Sequence, residues 1–157
     1  MPNKVDDFVP YRILSYVLDR LEQIDTALGY NTRPRVTTDL DEYAESTTDH
    51  TLFVETTGGS PRLQGAGSAH QMEQTLTVEI LGASYYKTEH PRRVAMSLEQ
   101  DVRTALHSDI ANIRDAVGRG VSMRFDRSEH DAGFLAPEKQ AGFYLAVSFT
   151  WSQSKDW

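Results

Sequence analysis

Two periods run through the hydrophobic positions of this chain, and they divide it into helices and strands. Between Tyr11 and Leu28, the residues Leu14, Val17, Leu18, Leu21, Ile24 and Leu28 recur at steps of three and four. That spacing puts them on one helical face. Pro10 suits a first helical turn, where a missing N–H costs little, and Gly29 suits a left-handed stop. The pattern predicts a helix over 11–28, preceded by an N-terminal arm at 1–9. A turn over residues 30–34 then leads to a short extended piece around 35–38. Residues 38–50 carry five acids and no Lys or Arg, which reads as a solvated loop or loose helix. Thr51–Thr56 is a β-branched and aromatic run of strand length, stopped by Gly58 and Gly59.

Strict alternation begins at Met72. Met72, Leu76, Val78 and Ile80 face one way and Glu73, Thr75, Thr77 and Glu79 the other, with Gln74 the exception on the apolar side. The segment between these strands, Gly58–His70, holds four of the ten glycines and a proline, so it reads as a mobile connection closing a long hairpin. Pro91 opens a second amphipathic helix. Val94, Ala95, Leu98, Val102, Ala105 and Leu106 form its stripe, and Arg92, Arg93, Glu99 and Arg103 lie outside it. A shorter helical piece over 109–117 uses Ile110, Ile113 and Val117 and stops at Gly118 and Gly120. Strands follow at 121–126 and 143–152, separated by a second irregular loop, Arg127–Gln140. Sequential hairpins with the helices inserted as a block predict an α+β domain. Its mainly antiparallel sheet of four to five strands carries two main helices on one face.

Composition narrows the partners. A chain of 157 residues suits one domain spanning 1–157 and can bury a core without covalent staples. It has no cysteine, which excludes disulfides, thiolate metal sites and a cysteine nucleophile, and which fits folding in a reducing cytoplasm. No apolar run approaches the roughly 18–20 residues that cross a bilayer, and no membrane partner is expected. The formal charge of −7 disfavours non-specific attraction to DNA. Twelve of the sixteen basic residues are arginine, a side chain enriched in subunit contacts.

Motifs for chemistry are sparse. Asp49-His50 and Glu129-His130-Asp131 set carboxylates beside imidazoles, but neither has the spacing that places two metal ligands on one helical face. Gly65-Ala66-Gly67 leads into a strand, whereas a phosphate loop leads into a helix N-terminus. There is no GxSxG elbow. The expectation is no catalytic residue, no metal and no cofactor. The residues singled out instead are Arg62 and Leu63 in the first long loop, Arg92 and Arg93 at a helix start, and Phe134 and Leu135 in the second long loop. Apolar side chains in glycine-rich loops and arginines in a first helical turn are candidate interface residues.

The order of these segments resembles a known family. A helix ILSYVLDRLEQIDTALGY leads to RPRV and the strand TLFVET. The strand QMEQTLTVEILGAS runs into the helix PRRVAMSLEQDVRTALHSDI, and the chain finishes with GVSMRF and FYLAVSFTW. Over residues 10–152 this resembles the tail terminator, or tail completion, proteins of long-tailed bacteriophages, with Leu76–Ile110 carrying most of the likeness. The resemblance implies a non-enzymatic structural protein of the virion neck, assembled in the host cytoplasm. Such a protein forms a homo-oligomeric ring, usually a hexamer, on the head-proximal end of the tail tube. The ring stops tube polymerisation and offers a joint to the head-closure proteins, and DNA passes through it without specific binding. Two other readings stay open: another neck component, such as a head-closure or connector protein, and a small hydrolase with an unrecognised site.

Overall fold

The elements, in the computed structural model, follow in the order α1 (Val9–Glu22), β1 (Arg35–Thr37), α2 (Leu40–Glu45), β2 (His50–Gly58), β3 (Arg62–Leu63), β4 (Gln71–Ser84), α3 (Pro91–Ser108), α4 (Ile113–Val117), β5 (Ser122–Asp131) and β6 (Ala141–Ser154), with 3-10 turns at Thr26–Leu28 and Ile110–Asn112. The structure describes residues 8–46, 48–58, 62–63, 71–84, 91–131 and 141–154. The fold is the expected α+β arrangement. One mixed sheet has the strand order β1-β2-β4-β6-β5, with β3 added to the side of β4. All pairings are antiparallel except β1 with β2.

Alternation in the sequence becomes two faces in the sheet. Leu52 and Val54 of β2, Leu76, Val78 and Ile80 of β4, and the odd-numbered positions from Phe143 to Trp151 of β6 share one buried cluster with α1, α3 and α4. Ile13, Val17 and Leu21 of α1 and Leu98, Val102 and Leu106 of α3 are fully buried against it. Each such side chain contributes roughly 1.5–3 kcal/mol of transfer free energy. The two long helices therefore lie on the same side of the sheet. On the opposite side, α2 covers only one corner, where Tyr43 packs on Phe53 with ring centroids 5.8 Å apart and Ala83 completes a small second cluster.

Gly82 shows how tight the main interface is. A Cβ built there would stand 2.1 Å from the ring of the fully buried Phe143, its partner across β4 and β6, so only glycine leaves room for that ring. Arginines of α1 tie the helices together. Arg20 Nε donates to the Ala105 carbonyl at 3.0 Å near the end of α3, and Arg12 donates to the Val117 carbonyl at 3.1 Å at the end of α4. Cations there satisfy orphan carbonyls and complement the helix dipole.

Four expectations need correction. The first helix ends at Glu22, not at Leu28, because the Asp25 carboxylate accepts from the Ala27 N–H and starts a separate 3-10 turn. Gly29, at φ 92°, caps that turn, and Leu28 is exposed. Val9 is helical and buried, so the chain is already packed at the end of the expected arm. Strand β5 continues to Asp131, five residues beyond the expected end, with a bulge between Phe125 and Arg127. Finally, Glu99 is buried against β5 and does not point outward.

Candidate interaction surfaces

The long hairpin is real, but the connection within it is shorter than its glycine content suggests. β2 pairs with β4 from His50 opposite Ser84 to Gly58 opposite Leu76. Pairing then resumes with Arg62 opposite Glu73 and Leu63 opposite Met72. β3 therefore pairs with the same strand as β2, nearer the start of β4. Arg62 and Leu63 thus belong to the sheet by their backbone, and only residues 64–70 separate β3 from β4. Arg92 and Arg93 lie in the first turn of α3, where Arg93 is exposed. Phe134 and Leu135 lie outside the described residues, in the connection between β5 and β6. Among the described four, Arg62 and Leu63 are not brought together with Arg92 and Arg93. Arg62 and Leu63 attach to the start of β4, whereas Arg92 and Arg93 follow in the chain after its other end, where Ser84 stands against Ala141.

The sheet face away from the long helices is polar over most of its area. Across it run rows of hydroxyls: Thr75 against Thr150, with their oxygens 3.4 Å apart, and Thr77 against Ser148 at 3.5 Å. Asp126, the extra residue of the β5 bulge, accepts from the Ser148 hydroxyl, and this bond, then the neighbouring Arg124, lowers its carboxyl pKa. Alongside lies an acidic row. Glu55 of β2 stands directly opposite Glu79 of β4, a like-charge pairing that weakens a ladder, and the Tyr144 hydroxyl donates to Glu79 at 2.7 Å. The hydrogen bond that Glu55 shares with Glu79 raises the Glu55 pKa, with desolvation adding to it. Tyr144 is pushed up to about 12 by burial and then by Glu79.

Both edges of the sheet are open along their outer sides among the described residues. At one edge, β5 presents Arg124, Arg127 and Glu129 on the polar face, with Arg127 paired to Glu129. At the other, Arg35 of β1 lies on the same polar face, because its neighbour Val36 packs into the main core. Arg35 meets Glu42 at 3.6 Å and Arg33 meets Asp25 at 3.7 Å; both arginines are more than half exposed. Exposed pairs at such distances contribute about 0–1 kcal/mol.

Three polar arrangements inside the domain were not legible in the sequence. Asp101 of α3, 3% exposed, accepts four hydrogen bonds from the backbone and side chains of Asn31 and Thr32, at 2.6–3.1 Å. This carboxylate fixes the turn that delivers the chain to β1. His50 opens β2 buried, not in a solvated turn, with Nδ1 3.1 Å from the Ser84 hydroxyl. Burial lowers the His50 pKa, and Asp49 and Asp101 oppose the shift. Glu99 bonds His130 of β5 and accepts from Arg103 Nε at 2.8 Å, and the Arg103 guanidinium lies 5.0 Å from the Phe125 ring centroid. Ser84, His50 and Asp101 are the residue types of a hydrolytic triad. However, Ser84 is wholly buried and both Asp101 oxygens are occupied by Asn31 and Thr32. In this geometry His50 and Ser84 join β2 to β4, and Asp101 joins α3 to the turn before β1.

Among the described residues there is no group of three or more His, Asp or Glu side chains placed to hold a metal ion, and no helix long and apolar enough to cross a membrane. No protein-family model and no curated protein sequence matches the chain.

Proposed function

We propose that this chain is a structural subunit of a bacteriophage neck, of the tail terminator kind. It forms a ring, hexameric by the resemblance, at the head-proximal end of the tail tube. There it stops polymerisation and presents a joint to the head-closure proteins. The observation that carries the reading is the layering of the domain. Both long helices shield one sheet face, while the opposite face is mostly polar outside the α2 corner and, among the described residues, no further strand pairs with either sheet edge. A sheet edge without a partner strand exposes N–H and C=O groups that another strand can pair with. A ring subunit needs two different contact surfaces, because only a heterologous contact propagates around a closed ring. The net charge of −7 suits a ring whose channel lets DNA pass without gripping phosphates.

The test is to mix gold-labelled chain with preassembled tail tubes and image the products by negative stain, with native mass measured in parallel. The reading expects label at one end of each tube and a ring-sized mass, either free or on the tube. Label scattered along tubes, or a monomer that never binds them, overturns it.

A further inference from the structure

Building on that reading, we infer that successive copies join edge to edge, with the acidic distal half of β5 on one copy docking along the basic β1 edge of the next. The occupant of the β5 edge is therefore a second copy of this chain.

Strand direction supports the joint. β2 is antiparallel to β4, β4 to β6 and β6 to β5, while β1 is parallel to β2. The two outermost strands, β1 and β5, consequently run in opposite directions within one sheet. A neighbour placed beside β1 with its helical face on the same side presents β5 antiparallel to β1, the stronger of the two ladder geometries. Charge supports it too. Residues 30–37 hold two arginines, Arg33 and Arg35, and no acid. The end of β5 holds Glu129 and Asp131. Arg35 and Glu129 both lie on the polar face of their own copies, so an antiparallel joint that sets one against the other keeps every side chain on its correct face. Setting Arg35 opposite Glu129 also brings Asp131 to the register of Arg33.

The bulge at Asp126 and the charged run that follows it discourage pairing with an arbitrary strand. They do not discourage a strand of opposite charge, so the same features that protect the edge select the partner. Among the described residues, the ion pairs of Arg33 and Arg35 are the loose, exposed ones to Asp25 and Glu42, which cost little to exchange. β1 is only three residues long, so each joint is short.

The chain lacks cysteine, so introduced thiols report cleanly. Arg35→Cys is combined in one chain with Arg127→Cys, Glu129→Cys or Asp131→Cys, and each double variant is oxidised with copper–phenanthroline, alone and on tail tubes. Arg35→Cys with Met96→Cys, on the exposed side of α3, is the control. At least one β5 partner should give a ladder of covalent oligomers up to ring size, and the control should give none. In parallel, Arg35→Glu and Glu129→Arg should each weaken self-association about tenfold, equivalent to about 1.4 kcal/mol, and the combined charge swap should restore most of it. Thermal melts confirm that each variant is folded. Rings without a ladder at any of the three positions, a control that ladders equally, or a swap that fails to restore association overturns the inference. Ladders on a chain that does not cap tubes would instead sustain this joint and defeat the tail terminator reading.

Discussion

Replacing Asp101 with asparagine tests whether one buried carboxylate fixes the path of the chain into the sheet edge. Its two oxygens accept from the Asn31 N–H and Nδ2, both at 3.1 Å, and from the Thr32 N–H and hydroxyl at 2.7 and 2.6 Å. Asparagine has the same shape but only one accepting oxygen. If that oxygen stays with Asn31, the amide group faces Thr32. The Thr32 hydroxyl can rotate to accept, but the Thr32 N–H cannot, and Thr32 is buried. An unsatisfied buried donor costs about 1–3 kcal/mol. The surviving bonds also lose their charge assistance, which roughly halves their strength. Together these give an expected loss of about 2–4 kcal/mol. For a domain of this size, a loss of 3 kcal/mol lowers the melting temperature by roughly 6–12 °C. Urea unfolding followed by tryptophan fluorescence is a suitable assay, because Trp151 is buried in the main core. The slope of free energy against urea should be unchanged, since the same surface unfolds. A variant within about 0.5 kcal/mol of the parent would refute the reasoning.

Acidification should destabilise the fold through His50. Burial lowers its pKa below the ordinary value of 6.5, so the unfolded chain binds a proton that the folded chain refuses. Stability is full above 6.5, declines as the pH falls from 6.5 toward the folded-state pKa, and is not lost further below it. His50→Asn should flatten that decline in urea titrations between pH 7.5 and 5.5, and identical slopes for parent and variant would count against it. Gly82→Ala should cost about 1–3 kcal/mol by driving a methyl into the Phe143 ring. Adding Phe143→Leu should recover part of that loss in thermal melts, and strictly additive losses would contradict the contact.

The segments that read correctly are those in which local pattern and tertiary role agree. The period of α1, the stripe of α3 and the alternation of β4 and β6 all follow from one buried face. β5 misled because its bulge shifts the phase of alternation by one residue just where the edge strand passes beyond the core. From Asp126 onward every described side chain is exposed, so the strand reads as a polar loop. β3 is hidden for another reason: two residues cannot show a period, and the glycines and proline beside them signal a turn. Glu99 and Asp101 sit next to the apolar stripe of α3, and a helical wheel assigns such residues to solvent. Their burial is decided by partners 31 and 70 positions away in the chain, His130 and Asn31. For α2 the sequence left loop and helix open, because its one buried anchor, Tyr43, lies among five acids. Arg62 and Leu63 attach near the start of β4 and Arg92 and Arg93 follow its other end, whereas Arg35 and Glu129 become notable only once strand order makes them edges.

The role proposed for this chain is to end tail tubes. It is tested most directly by adding the purified chain, in increasing substoichiometric amounts, to tube subunits as they polymerise and measuring the distribution of tube lengths by electron microscopy. The account predicts mean lengths that shorten in proportion to the chain added, with a ring visible at one end of each finished tube. Lengths that stay unchanged at every ratio, with bare tube ends, would contradict it.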